Sequence, residues 1–248
     1  MVINQISERI YYLPFDENTD RPNIGYIFGN KYSIMIDCGN SPKHLSLFYA
    51  GLEERHLPIP QIAIITHWHW DHTFGMRSFN GMTIAGQITN NKLKEVMKWK
   101  WTDKAMKDRL VNGEEIEFCD KNIRKEYKNL SEICVKSADV IFDSSISIDL
   151  GGITCTAFYC PSPHSKDSVI IYVPEEKILF CGDADSRDFY DNKGEREVGR
   201  VKQYRDVLMK IPFEVYLHGH CEPLRREQVF IDLEKMIEAE RLRSIHTR

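Results

Sequence analysis

Short apolar runs separated by turn residues dominate the first part of the chain. The segments 9–13, 24–28 and 32–37 are rich in isoleucine and aromatic residues, and the turn residues of 14–22 and Gly29-Asn30 lie between them. Apolar runs bounded in this way are typical of strands, and their close spacing favours antiparallel neighbours. We therefore expect the chain to begin with an antiparallel part of a sheet.

Helical spacing first appears after residue 40. Ser41-Pro42 suits an N-cap followed by proline in the first turn, and apolar residues then recur on one face of the segment 44–55. This pattern predicts an amphipathic helix. It also predicts that His44 and His56 lie on the surface or at a helix end.

The segment 91–110 combines an apolar face with an excess of basic residues. Its apolar positions predict one amphipathic helix, and seven Lys or Arg residues against three acidic ones give it a balance of +4. Packing on the core is one explanation. The segment is alternatively a lid whose Trp99 and Trp101 form a wall of a substrate pocket, or a contact in a homodimer. Residues 112–139 show no regular period, so we interpret about 88–140 as a helical insertion.

Strand patterns return after residue 140. Alternating apolar residues on both sides of Gly151-Gly152 predict a hairpin, and the runs 169–173 and 178–183 predict a second one. Helical spacing around 201–208, a short strand at 214–217 and an apolar-faced helix follow. Both element types occur along the 248 residues, so we expect one α/β domain covering 1–248.

Composition narrows the classes of partner. The net charge of −4 gives no overall attraction to nucleic acid or anionic lipid. No run approaches the roughly 20 apolar residues of a membrane-spanning helix, and the N-terminus lacks an export pattern. Seven cysteines without a C-x-x-C pair indicate reduced thiols. We expect a cytoplasmic protein that acts on a small-molecule substrate, with no nucleic-acid or membrane partner.

Three histidines and one aspartate occupy six positions directly after the apolar run 62–65. In His67-x-His69-x-Asp71-His72, alternate residues of an extended chain share one side, so His67 and His69 can reach one ion together. Imidazole and carboxylate ligands suit zinc or iron. A lone histidine is usually structural, but this density of ligand side chains indicates a metal site, with room for two ions.

More candidate ligands lie beside the later strands. His164 precedes the run 169–173 and Asp183 ends the run 178–183, so the predicted hairpin places these side chains next to each other; His220 follows the strand at 214–217. The sequence contains neither a G-x-S-x-G turn nor a glycine-rich phosphate loop. Serine hydrolases and nucleotide-binding proteins are therefore disfavoured.

The order of these motifs resembles the metallo-β-lactamase superfamily over nearly the whole chain, and Ile36-Asp37-Cys38-Gly39 looks like its early strand signature. The resemblance implies an αββα sandwich: two mixed β-sheets packed face to face, helices on the outer faces, and a metal site at one edge. It implies two divalent metal ions as cofactors, with zinc as the preferred metal and iron or manganese as alternatives. The implied ligands are His67, His69 and His164 for one ion, Asp71, His72 and His220 for the other, and Asp183 between them.

The chain departs from the superfamily pattern near two of these ligands. Pro163 stands where members often have glycine before the third histidine. His218 stands where many members have proline, so it is an alternative ligand to His220 and otherwise a structural histidine. Cys221 is either a thiol behind the ligands or a packing residue.

The resemblance implies hydrolysis by metal-activated water, with Asp71 orienting the hydroxide and moving its proton. We predict a thioester, lactone or ester substrate. Phosphodiester or phosphonate hydrolysis is an alternative, favoured by the +4 segment and by Arg187, Arg225 and Arg226 near the motifs. A mono-iron oxidoreductase similar to persulfide dioxygenases and a non-catalytic metal-binding sensor are further alternatives. Arg187 joins the two tryptophans of 91–110 as a candidate substrate contact.

Overall fold

Two mixed β-sheets pack against each other in this computed structural model, which describes the backbone of residues 3–246 and the side chains of residues 3–243. The first sheet has the order β1-β2-β3-β4-β5-β6-β7. Its first four strands pair antiparallel, as predicted for β2, β3 and β4, and the remaining pairs are parallel. Its strands are β1 Asn4–Gln5, β2 Ile10–Leu13, β3 Ile24–Phe28, β4 Ser33–Ile36, β5 Ile62–Ile65, β6 Met82–Gly86 and β7 Val140–Phe142.

The second sheet has the order β13-β12-β11-β10-β9-β8. The predicted hairpin at Gly151-Gly152 is confirmed, since both glycines have positive φ (87° and 80°) in the turn between β8 and β9. Only β11 and β12 pair in parallel among the described strands of this sheet. Its strands are β8 Ser145–Asp149, β9 Thr154–Tyr159, β10 Val169–Val173, β11 Ile178–Gly182, β12 Val215–His218 and β13 Leu224–Arg225.

Helices cover the outer faces of both sheets. The first five pack on the first sheet and the last two on the second, while a purely inter-sheet core of isoleucine, valine and smaller apolar residues lies between the sheets. This is the expected αββα sandwich. Among residues 3–246, no helix combines the length and apolar character that crossing a bilayer requires. The helices are α1 Pro42–Glu54, α2 Trp70–Thr73, α3 Gln87–Val96, α4 Asp103–Asn112, α5 Glu117–Glu126, α6 Val198–Met209 and α7 Arg226–His246.

The start of α1 confirms one prediction and corrects another. Ser41 is the N-cap, and its hydroxyl accepts a hydrogen bond from the backbone N–H of His44 at 3.0 Å. His44 itself is buried rather than exposed, with 1% of its surface accessible. His44 lies in the first turn of α1, so the helix-end alternative was right. The surface alternative was wrong because the chain before the helix folds over the imidazole, where Asn40 N–H donates to its Nδ1.

The segment 91–110 is two helices rather than one. α3 ends at Val96, residues 97–102 are not helical, and Thr102 caps α4 by accepting from the N–H of Ala105 at 3.2 Å. The single-helix prediction was wrong because the apolar residues of the break belong to an aromatic cluster and not to a helix face. A third helix, α5, lies in the stretch that shows no apolar period. The period is absent because polar Asp120 and Asn122 occupy the buried side of this helix.

Candidate metal centre

Four chain segments that carry the predicted ligands meet at one edge of the sandwich. β5 leads into the histidine motif, β11 ends before Asp183, β12 ends before His220, and the loop carrying His164 precedes β10. Backbone hydrogen bonds join these segments: Gly219 N–H donates to Gly182 O at 2.8 Å, and Val169 N–H donates to Thr66 O at 2.7 Å. The fold therefore brings together side chains that are up to 153 positions apart in the sequence.

The first group contains His67, His69 and His164, all buried. His164 Nε2 lies 2.9 Å from His69 Nδ1. The ring centroid of His67 is 4.5 Å from that of His69 and 5.0 Å from that of His164. One ligand atom of each residue lies within 4.8 Å of the others, so the three imidazoles can hold one metal ion.

The second group contains Asp71, His72, Asp183 and His220. Asp71 Oδ2 is 3.1 Å from His72 Nε2 and 3.0 Å from His220 Nε2. The carboxylate of Asp183 is 3.4 Å from His72 Nε2 and 3.3 Å from His220 Nε2. Its Oδ2 also lies 3.9 Å from His164 Nε2, so Asp183 contacts members of both groups.

Hydrogen bonds outside the cluster set the protonation of three of its imidazoles. Asp37 accepts from His72 Nδ1 at 2.7 Å and from the Thr66 hydroxyl at 2.8 Å. Because the Thr66 hydroxyl donates its only proton to Asp37, its oxygen accepts the hydrogen bond from His67 Nδ1 at 3.0 Å. His164 Nδ1 donates to the carbonyl of Arg187 at 2.8 Å. Each Nε2 therefore turns a lone pair toward the cluster, which is how metal-binding histidines are held in proteins.

Two glycines let the backbone approach the cluster closely. A Cβ on Gly219 would overlap the Asp183 carboxylate, and a Cβ on Gly182, which has a φ of +52°, would overlap the Thr66 side chain. Neither position therefore accommodates a larger residue without displacing a ligand or its support.

His218 is not part of either group. Its Nε2 lies 3.0 Å from Asp185 Oδ1, and its Nδ1 accepts from the backbone N–H of His220 at 2.9 Å. The ring thus holds the loop that presents His220. The half-buried Cys221 contributes its carbonyl to the same loop by accepting from Asn23 Nδ2 at 2.8 Å.

Charge is unevenly distributed over the cluster. Burial, reinforced by neighbouring imidazoles, holds the pKa of His67 and that of His69 well below the usual range. Burial also opposes charge on His72 and His220, but the adjacent carboxylates outweigh it and raise the pKa of His72 strongly and that of His220 to about 10. These two imidazoles in turn lower the pKa of Asp183 despite its burial. A cation between the carboxylates would take the place of those protons.

Several buried ligand atoms have no hydrogen-bond partner among the described residues. They are His67 Nε2, His72 Nε2 and Asp183 Oδ1. Buried polar atoms are nearly always satisfied in folded proteins. The His72 and Asp183 atoms lie 3.4 Å apart, and the His67 ring centroid is 4.2 Å from that of His72. The donor set, imidazole nitrogen with carboxylate oxygen, is the one that zinc and iron take. The residues present therefore fit metal ions.

A cavity of about 360 Å³ opens directly onto the cluster. Besides the candidate ligands, its wall contains apolar and aromatic side chains from the start of α5 and from the loop after β11. Asp20, Ser186 and Arg187 supply further polar wall. The apolar part of the wall consists of Ile116, Phe118, Cys119, Phe189 and Tyr190.

The predicted substrate residues have different positions. Arg187 lines this cavity, and Trp99 lines an adjoining one that also touches His69. Trp101 lies on neither: it packs on Phe74 at 5.2 Å between ring centroids and lines a separate surface cavity. Its proposed place in the pocket wall is therefore corrected, because the break after α3 turns it toward the core.

The other two arginines predicted near the site are not there. Arg225 lines a cavity with β1, and the Arg226 guanidinium packs on the rings of Phe213 and Phe230. Neither lines the cavity at the cluster.

Sequence reasoning missed the aromatic side chains at the mouth of the site. Phe118 and Phe189 are 56% and 46% exposed, and both line the cavity. Each lies in a polar, aperiodic stretch, where an isolated phenylalanine has no core face to join. A phenylalanine isolated in a polar stretch was therefore the sequence signal that could have indicated these cavity residues.

The chain is similar in sequence to known proteins. A family model described as the metallo-beta-lactamase superfamily matches residues 18–220. The chain is 27% identical over 187 residues to a Gallus gallus protein named acyl-coenzyme A thioesterase MBLAC2, covering 72% of this chain and 61% of that protein. To its Homo sapiens counterpart of the same name it is 24% identical over 246 residues, covering 91% of this chain and 80% of the relative.

Solved structures support the fold. DIM-1 metallo-beta-lactamase superimposes with a TM-score of 0.65 at 17% identity, covering 95% of this chain and 94% of that one. A metallo-beta-lactamase from Pontibacter korlensis gives a TM-score of 0.62 at 15% identity, covering 94% and 97%. At these identities the likeness concerns the architecture alone.

Proposed function

This chain belongs to the metallo-beta-lactamase superfamily, and from that premise we propose that it is a dinuclear metallo-hydrolase of acyl thioesters. The observation that carries the substrate class is the apolar cavity beside the candidate metal centre. An acyl chain suits such a cavity, since binding removes the apolar surfaces of both the chain and the cavity wall from water. The names of the two curated relatives support the same class.

The two groups of side chains would hold two metal ions, for which zinc is the preferred identity. His67, His69 and His164 would bind one, Asp71, His72 and His220 would bind the other, and Asp183 would contact both. Such a pair supplies a water of lowered pKa and polarises the carbonyl under attack. The chain itself holds the imidazoles in the correct tautomer through Asp37, Thr66 and the Arg187 carbonyl.

Asp71 has the position of a proton carrier. Its carboxylate borders the cavity and is held between two imidazole nitrogens at 3.0 and 3.1 Å. In hydrolysis the water oxygen bonds to the acyl carbon, the C–S bond breaks, and the water proton passes through Asp71 to the departing thiolate. The products are a carboxylate and a thiol.

Phosphodiester hydrolysis is less well supported. A phosphoryl group needs several cationic side chains around it, yet only Arg187 of the three candidate arginines lines the cavity. Its guanidinium Nη1 donates to the Gly194 carbonyl at 3.1 Å and so is engaged with the protein.

A comparison of substrate classes tests this proposal. Purified protein reconstituted with zinc should release thiol from an acyl thioester with a kcat/KM about 10²-fold above that for bis-p-nitrophenyl phosphate. A p-nitrophenyl acyl ester and a lactone of matched chain length distinguish the neighbouring acyl substrates. Chelator-treated protein is the control and should release no thiol. Faster cleavage of the phosphodiester would overturn the assignment.

A further inference from the structure

A second cavity, of about 500 Å³, adjoins the one at the candidate metal centre. His69 and Tyr190 line both. The Tyr190 ring lies 4.8 Å from that of His69, and its hydroxyl donates to Glu115 Oε1 at 2.8 Å, which fixes the ring between the two spaces. If the reacting carbonyl of a substrate lies near His69, the two parts of the substrate that flank the carbonyl can therefore extend into different cavities, one on each side of Tyr190.

Aromatic side chains held in place form one wall of this second cavity. Trp68 and Trp99 meet edge to face, with ring centroids 6.4 Å apart. The buried Arg109 guanidinium lies over Trp99 at 4.8 Å and over Trp101 at 4.7 Å, and it donates to the Lys100 carbonyl. Trp99 is thereby pre-organised, and it presents an indole surface on which a planar ring can stack.

Cationic charge lies beside this aromatic wall. Lys92 Nζ is 5.0 Å from the Trp68 ring centroid and lines the cavity. It belongs to the +4 segment 91–110, most of whose lysines are exposed. Such a segment attracts anionic groups over several ångströms.

Three of the four acidic residues that line the cavity are engaged by the protein, and the fourth, Glu114, is exposed. Asp188 pairs with Arg200 at 2.8 Å and Asp191 pairs with Lys166 at 3.0 Å. Asp167 is buried and accepts from the backbone N–H of Trp68 at 3.0 Å. Much of the charge of these three is thereby offset. Lys92, which also pairs with the exposed Glu95 at 3.3 Å, faces the aromatic wall.

We infer that this second cavity binds the leaving-thiol arm of the substrate, and that this arm carries a phosphorylated purine nucleotide, as in coenzyme A. The inference rests on the proposed thioesterase function. The purine would stack on the indole of Trp99 with its edge toward Trp68, its phosphates would meet Lys92 and the basic segment, and the acyl chain would occupy the apolar cavity across Tyr190.

Two thioesters with the same acyl group and different thiols test the inference. One carries coenzyme A and the other N-acetylcysteamine, which lacks the nucleotide. For the unmodified protein, the KM for the coenzyme A ester should be at least about tenfold lower, because only that ester gains stacking and phosphate contacts. Lys92→Glu and Trp99→Ala should each bring the ratio of the two KM values close to one. Lys210→Glu makes the same charge change at the exposed C-terminal end of α6, outside 91–110 and outside both cavities, and should keep the ratio.

A binding measurement supplies a readout independent of turnover. Adenosine 3′,5′-bisphosphate, which has no thiol, should quench tryptophan fluorescence of the unmodified protein and of Lys210→Glu. Its Kd should rise about tenfold or more in Lys92→Glu, a substitution at a half-exposed site that tests the idea even if Trp99→Ala fails to fold.

The outcomes separate the two proposals. Equal KM values for both thioesters, together with unchanged nucleotide binding in Lys92→Glu, would overturn the assignment of the second cavity to the nucleotide. The thioesterase proposal would remain intact. Absence of hydrolysis of either thioester would instead contradict the proposed function.

Discussion

Replacing Asp183 with asparagine should lower thioester turnover by about a thousandfold or more. Asp183 contacts His72 and His220 in one group and His164 in the other, so its carboxylate is the shared negative charge of the centre. Losing it removes charge stabilisation of several kcal/mol, and each 1.4 kcal/mol is a factor of about ten in rate. The bound metal should fall to one ion per chain or fewer, measured by elemental analysis alongside kcat.

Asp143→Asn is the matched control for this variant. Asp143 is exposed in the turn between β7 and β8 and contributes to neither group, so metal content and turnover should both stay at the unmodified level. Circular dichroism of Asp183→Asn should show the folded spectrum, because the substitution keeps the side-chain volume. An Asp183→Asn protein that retains two ions and full activity would show that this carboxylate is not shared.

Replacing Asp71 with asparagine should have a different signature. The amide keeps an oxygen that can face the cation but cannot accept the proton of the attacking water, so kcat should fall by about 10²–10⁴-fold, the usual contribution of a positioned acid–base group. Metal content should fall much less than in Asp183→Asn. KM should change little, since the apolar cavity wall is unaltered.

The comparison with metal content decides the role of Asp71. If Asp71→Asn binds both ions and turns over at the unmodified rate, Asp71 carries no proton. If it loses one ion and all activity together, the role of Asp71 is confined to binding that ion.

The sequence predicted the position of the candidate centre well because strand order constrains it strongly. Residues that follow the ends of neighbouring strands lie at one edge, and β11 and β12 run in parallel with Gly182 opposite His218. Asp183 and His220 therefore emerge side by side. The spacing of His67 and His69 could be interpreted locally, because alternate residues of an extended chain share one side, whereas Asp71 and His72 lie in α2.

The walls of the site could not be predicted in the same way. Periodicity reports which residues face the core, and Phe118 and Phe189 face solvent and the cavity instead. The break between α3 and α4 was missed for a related reason. Trp99 and Trp101 continue the apolar spacing of α3, yet they pack on Arg109 from outside any helix, and only tertiary contacts distinguish the two arrangements.

The departure at His218 has a structural explanation. Where many superfamily members have proline, this chain has an imidazole that fixes the following loop by hydrogen bonds to Asp185 and to the backbone of His220. Proline restricts such a loop covalently, and here side-chain hydrogen bonds take its place. His218 thus supports a candidate ligand without joining the cluster.

Crystallographic anomalous scattering at the zinc, iron and manganese edges, collected on purified active protein, tests the central proposal most directly. The account predicts two peaks per chain, one among His67, His69 and His164 and one among Asp71, His72 and His220, with Asp183 between them. A single iron peak would contradict it and favour the mono-iron oxidoreductase alternative. Full thioester hydrolysis by protein without any peak would contradict metal-dependent hydrolysis altogether.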